Sequence, residues 1–178
     1  MTKLSKDTAR QLDSWRSLRR GGFLLGCALI LAACGFQLRG AQPLPFQSLY
    51  VAVGDTELGA ALKRNIRASG NTRVTETAQE AQATFTVAAE AREKNILSLS
   101  SAGRVREFQL RYRYAFRVSD GKGRDYLPLT EISVTRDITF SDQQVLAKEQ
   151  EETLLWRDMQ NDLVQQIMRR LAAVKIDG

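Results

Sequence analysis

The stretch from Val105 to Ser119 constrains the fold most. Phe108, Leu110, Tyr112, Tyr114, Phe116 and Val118 alternate there with Gln109, Arg111, Arg113 and Arg117. A period of two sends one set to each face of a β-strand. The large apolar set needs a covering layer, and the arginine set needs water. One buried and one wet face is the pattern of an antiparallel sheet in a two-layer sandwich, not of a parallel strand buried on both sides.

Two further long strands flank it. Thr84 to Ser100 places Phe85, Val87, Ala89 and Ala91 on one face, with Leu97 and Leu99 in phase. Tyr126 to Phe140 turns Ile132, Val134, Ile138 and Phe140 inward and Glu131, Ser133, Thr135, Asp137 and Thr139 outward. Ser101-Ala102-Gly103 and Asp120-Gly121-Lys122-Gly123 are turns, so the three strands form a meander. Pro128, near the beginning of the last strand, suits an edge position.

Upstream, Phe46 to Val53 reads as a first strand, with Leu49, Val51 and Val53 alternating. Asp55 or Thr56 caps a helix through Leu58, Ala61, Leu62, Asn65 and Ile66, which Gly70 ends. Arg73 to Thr75 reads as a short extended piece and is not counted as a strand of the sheet. Gly54 and Gly59 have phosphate-loop spacing, but Ala60 and Ala61 stand where such a loop needs Lys and Ser or Thr. Ser141 or Asp142 caps a long second helix reaching about Val174. Its stripe of Leu155, Trp156, Met159, Leu163, Ile167, Leu171 and Val174 has helical spacing and reads as core.

The expected architecture is therefore α+β: a two-layer sandwich with two helices packed on one face of a four-stranded mixed sheet, in the order β-α-β-β-β-α. The other sheet face stays polar, with Thr84, Thr86, Glu90, Arg111, Arg113, Arg117, Glu131 and Thr135.

The N-terminal segment predicts where the chain resides. Arg16, Arg19 and Arg20 precede an apolar run from Phe23 to Leu31, which is too short to span a bilayer. Leu31-Ala32-Ala33-Cys34 closes the run as a lipobox. Small residues admit a signal peptidase, and the Cys34 thiolate takes a diacylglyceryl group. Cleavage then frees an amine for a further acyl chain, and two or more chains anchor stably. Residues 1–33 are read as a lipoprotein signal peptide, 34–45 as a lipidated tether and 46–178 as a single domain. The rival Leu24-Leu25-Gly26-Cys27 leaves too little apolar run upstream.

Composition narrows the function. The full chain has 26 basic and 20 acidic residues. Without 1–33, 20 basic and 18 acidic remain, so the high pI belongs mostly to the leader. That removes the main support for nucleic-acid binding. There is no His, so the commonest general base and metal ligand is missing, and no disulfide is expected because Cys27 leaves with the leader and Cys34 is acylated. No cofactor and no catalytic residue is expected.

Two segments carry a resemblance. Cys34-Gly35-Phe36-Gln37-Leu38-Arg39-Gly40 is similar to the mature N-terminus of the LPS-assembly lipoprotein family LptE, and Val145-Leu146-Ala147-Lys148-Glu149 is similar to the start of that family's C-terminal helix. The resemblance implies a non-enzymatic lipoprotein on the periplasmic side of the outer membrane of a Gram-negative bacterium. It would assist assembly of the LptD β-barrel, plug it, and help deliver lipopolysaccharide to the outer leaflet. The implied partners are an LptD-like barrel, lipopolysaccharide and the membrane that takes the acyl chains on Cys34. Lysine at the family's Ala-Lys position is Lys148, and the charges near the family's hairpin tip are Arg104 and Arg106. These three are the expected contacts to lipopolysaccharide phosphates, since Arg binds such groups bidentately and Lys binds them as a point charge. If the first two strands are parallel neighbours, the tether and these cations sit at opposite ends. The alternative is a stand-alone periplasmic lipid- or peptide-binding lipoprotein.

Overall fold

The computed structural model describes residues 43–141 and 143–176, so the expected leader, Cys34, most of the expected tether and Asp142 lie outside the described residues. The elements run β1 Ser48–Ala52, α1 Glu57–Ala68, β2 Arg73–Thr75, β3 Ala83–Leu99, β4 Val105–Ser119, β5 Asp125–Thr139 and α2 Val145–Ala172.

The sheet has five strands, in the order β2-β1-β3-β4-β5, where four were expected. The added strand is Arg73–Thr75, which pairs parallel with β1 through Leu49↔Val74. Three residues are too few for alternation to register. The Thr72 hydroxyl holds the segment in place by donating to the Phe46 carbonyl at 2.7 Å. β1 runs parallel to β3 through Tyr50↔Thr84, and β3, β4 and β5 form the antiparallel meander. β5 is an edge strand, as Pro128 requires.

Local chemistry sets the connections. The Thr56 hydroxyl caps α1 by accepting from the Gly59 amide at 3.0 Å. A Cβ at Gly59 would lie 2.7 Å from Val53 Cγ1, so this glycine serves strand–helix packing. Leu58, Leu62 and Ile66, four residues apart, are buried. At the β4–β5 turn the Asp120 carboxylate accepts from the amides of Lys122 and Arg124, which holds its pKa below the usual range. Gly121 and Gly123 take the left-handed backbone that this turn requires.

Both helices contribute to one core. Leu49, Phe85, Tyr112, Phe116 and Ile132 of the sheet pack with Leu62 of α1 and Leu163, Ile167 and Leu171 of α2. The open sheet face carries the Arg113–Glu93 ion pair at 2.8 Å, with Gln109 donating to Asp137 and accepting from Arg111. No helix among the described residues is long and apolar enough to cross a membrane.

The phase of β3 departs from expectation. Val87 pairs with Phe116, but Ala89 pairs with Ala115, so Ala88 is an extra residue and the faces exchange there. Beyond it Glu90, Arg92 and Lys94 stand opposite Tyr114, Tyr112 and Leu110 on the helix-facing side, and Ala89 and Ala91 move to the open face. Glu90 is thus not on the polar face where it was expected. A second shift at Leu97 leaves Ile96, Leu97 and Leu99 exposed.

The second helix begins later than expected. Its N-cap is Gln144 without a side-chain hydrogen bond, and Ser141 lies upstream, its carbonyl accepting from the Gln144 amide at 3.0 Å.

Candidate functional site

Strand polarity separates two ends of the domain. The chain enters at the base, where Asn71 makes two hydrogen bonds to the Leu44 backbone, at 3.2 and 2.6 Å. β1 is only five residues long and pairs with just the first residues of β3. The remainder of the 17-residue β3 runs on with β4 and β5. At about 3.3 Å per residue, its far end is roughly 50 Å from its start.

That far end holds all three sequence-predicted cations. Arg104 lies in the β3–β4 turn, its amide bonded to Ser100 Oγ and its carbonyl to the Ser100 amide. Arg106 is an extra residue on β4, skipped by the pairing with β3, and its carbonyl accepts from the Phe140 amide at 2.7 Å. Lys148, in the first turns of α2, donates to Thr139 Oγ1 at 3.0 Å and to Glu151 at 2.7 Å. The Arg106 backbone and the Lys148 ammonium are therefore both tied to the end of β5, at Phe140 and Thr139, and Arg104 lies two residues before Arg106 in the turn. Ile96, Leu97 and Leu99 expose apolar surface on the same hairpin.

Between the start of α2 and the sheet lies a partly open cavity of about 300 Å³. Phe108, Ile138, Phe140 and Val145 give it apolar walls, and Lys94, Lys148, Glu149 and Glu152 line its charged side. Phe108 and Phe140 pack edge to face at 5.6 Å. Lys94 places its ammonium 4.3 Å above the Phe108 ring and 2.6 Å from Glu152. Sequence reasoning missed Lys94 because the bulge at Ala88 reverses the strand's faces. The alternation Glu90-x-Arg92-x-Lys94 continues to Ile96, which stands opposite Phe108, but Leu97 and Leu99 support the other phase.

A polar ladder continues from the cavity toward the core. Arg92 lies 4.5 Å from the centroid of the Tyr112 ring and donates to the Tyr112 hydroxyl and to Gln160, at 3.0 and 3.1 Å. The Tyr112 hydroxyl in turn donates to Glu90. Burial first, then the Glu90 bond, pushes the Tyr112 pKa up to about 12, against the opposing pull of Arg92. Burial likewise pushes Tyr114 above the ordinary phenol range, and its hydroxyl meets no partner among the described residues. Arg136, in the inward phase of β5, reaches Asp162 on α2. Among the described residues no group of three or more His, Cys, Asp or Glu could hold a metal. The arrangement offers an apolar recess whose mouth carries paired charges of both signs, Lys94 with Glu152 and Lys148 with Glu151.

Comparison with known proteins places the chain in a family. The sequence profile of the family LptE, described as Lipopolysaccharide-assembly, matches residues 46–171. The LPS-assembly lipoprotein LptE of Pectobacterium atrosepticum is 28% identical over 158 residues, covering 85% of this chain and 84% of the relative. That of Yersinia enterocolitica is 28% identical over 156 residues, covering 85% and 74%. Among solved structures, an uncharacterized lipoprotein B from Nitrosomonas europaea is 43% identical with a TM-score of 0.67, covering 78% of this chain and 91% of that one. The rare lipoprotein B from Shewanella oneidensis is 25% identical with a TM-score of 0.60, covering 71% and 92%.

Proposed function

The chain belongs to the LptE lipopolysaccharide-assembly family, and from that premise we propose how it works: as a non-catalytic outer-membrane lipoprotein, anchored through acyl chains on Cys34, that plugs an LptD-like barrel and helps pass lipopolysaccharide to the outer leaflet. The observation that carries the proposal is the polarity of the domain. The tether enters beside Leu44, and Arg104, Arg106 and Lys148 lie at the far end of the long strands. An anchor at the inner leaflet of the outer membrane then directs these cations away from it, up into a lumen. A barrel lumen is polar, and the open sheet face with its Arg113–Glu93 pair suits such surroundings. Phosphates on a glycolipid in transit meet the cations there.

The test replaces Arg104, Arg106 and Lys148 together by Glu in the acylated protein. Lipopolysaccharide binding should fall, and the barrel should still co-purify in detergent. Wild-type binding should weaken with salt, because exposed charges are screened over about 8–10 Å. Undiminished binding in the triple variant overturns the cation assignment. Absence of any co-purifying barrel protein from the wild type favours a lipoprotein that binds lipid on its own.

A further inference from the structure

The inner stripe of α2 changes character along its length. Met159, Leu163, Ile167 and Leu171 are buried in the core at helical spacing. Continued toward the N-terminus, the same face presents Glu152, Glu149, Lys148 and Val145 to the cavity. Leu146 and Leu154, which could have filled the space, are instead exposed, at 71% and 57%. A helix built only for packing would reverse this placement. Sequences depart from packing rules mainly at functional sites.

We infer that the cavity beneath the first turns of α2 is a binding subsite for one aliphatic chain of an anionic amphiphile, latched in the free protein by the Lys94–Glu152 ion pair. The volume of about 300 Å³ lies at the small end of ligand pockets, with room for a single unbranched chain. The two phenylalanine rings, Ile138 and Val145 supply the apolar contact. Lys94 is the hinge of the chemistry, because its ammonium touches both the aromatic wall and the carboxylate rim. In the free protein each lysine at the mouth is held by a glutamate, Lys94 by Glu152 and Lys148 by Glu151. A phosphate or carboxylate head competes with Glu152 for Lys94 and with Glu151 for Lys148. Entry of the chain and breaking of the latch are thus one event. The inference deepens the lipopolysaccharide reading by naming the part of the ligand that enters the cavity.

Trp156 reports on the event. It is the only tryptophan outside the leader, and its indole N–H donates to Glu152 Oε1 at 3.3 Å. The experiment titrates the mature chain carrying Cys34→Ala with dodecyl phosphate below its micelle concentration, reading Trp156 fluorescence and calorimetry. Binding should saturate at one site. Ethyl phosphate, which has the head without the chain, and dodecyl trimethylammonium, which has the chain with the opposite charge, should leave the fluorescence unchanged. Glu152→Gln frees Lys94 and should tighten binding about 1.5- to five-fold, the range of an exposed ion pair. Lys94→Gln should weaken it. Val145→Phe narrows the mouth from an exposed position and should weaken it about ten-fold, a gap typical of pocket volume changes.

Equal binding in Val145→Phe and wild type overturns the cavity assignment. Weaker or unchanged binding in Glu152→Gln overturns the latch. Lys148 lines the cavity, so the double variant Arg104→Glu/Arg106→Glu, which touches none of its lining, tests the phosphate-contact reading separately. Dodecyl phosphate binding with no loss of lipopolysaccharide in that variant keeps the cavity and discards the cation reading. The reverse pair of results discards the cavity alone.

Discussion

Tyr112 and Tyr114 are neighbours on one face of β4, both fully buried, and they differ in what their hydroxyls meet. Tyr112 donates to Glu90 at 2.5 Å and accepts from Arg92 at 3.0 Å. Tyr114 has no partner among the described residues. Replacing each by Phe should therefore act in opposite directions. A hydrogen bond to a charged group contributes about 1.5–3 kcal/mol. Glu90 and Arg92 are exposed enough to rehydrate, which holds the loss in Tyr112→Phe near the lower end, about 1.5–2 kcal/mol. For Tyr114→Phe the change removes a desolvated hydroxyl, whose penalty is about 1–3 kcal/mol. A hydroxyl-sized gap gives back less than about 1 kcal/mol. Neutral to about 2 kcal/mol of stabilisation follows. At roughly 3–4 °C per kcal/mol for a domain of this length, Tyr112→Phe should lower Tm by about 5–8 °C. Tyr114→Phe should leave Tm unchanged or raise it. Thermal melts followed by circular dichroism, checked by urea midpoints at constant slope, measure both. If Tyr114→Phe destabilises as much as Tyr112→Phe, its hydroxyl has a partner and the reasoning fails.

The same tyrosines fix an alkaline limit. Their folded pKa values lie above the ordinary phenol value of 10.0, so the stability they contribute is intact below pH 10 and is lost as the pH rises toward 12 and beyond. Urea midpoints should hold from about pH 8 to 10 and fall above it; a midpoint unchanged at pH 12 refutes the burial argument, and Tyr112→Phe should show a shallower fall than wild type. At the N-terminus, Cys34→Ala should abolish acylation and block processing at that position. Mass spectrometry of the mature protein decides it, with an unmodified Cys34 or an acylated Cys27 as the refuting result.

How far the sequence discloses this protein depends on where its alternation is redundant. β4 is legible because six large apolar residues and three arginines repeat the same phase. The β3–β4–β5 meander and the shared face of the helices follow from it. β3 is legible only to Val87. Past that point Ala89 and Ala91 are small enough to suit either face, and Ile96, which marks the observed phase, is outweighed in the sequence by Leu97 and Leu99. The register with β4 is what breaks the tie: once Ala88 is extra, Arg92 stands beside Tyr112, and Lys94 becomes the cation over Phe108. Period-two reading cannot detect one inserted residue unless a large side chain marks each phase. β2 escaped for a related reason, since three residues held by parallel pairing and one threonine bond carry no period. At α2 the local cap signal at Ser141 misled because the helix starts at Val145, without a side-chain cap. The first of these omits a short edge strand and the second misplaces a helix start, but the error in β3 hid a site. Charged residues in a core-facing phase are costly unless paired, and here they are paired across the cavity mouth by Lys94–Glu152 and next to it by Lys148–Glu151. A strand that places Glu, Arg and Lys on its inner face, beneath a helix that turns its leucines outward, has given up packing at the end of the domain that the proposed function needs open.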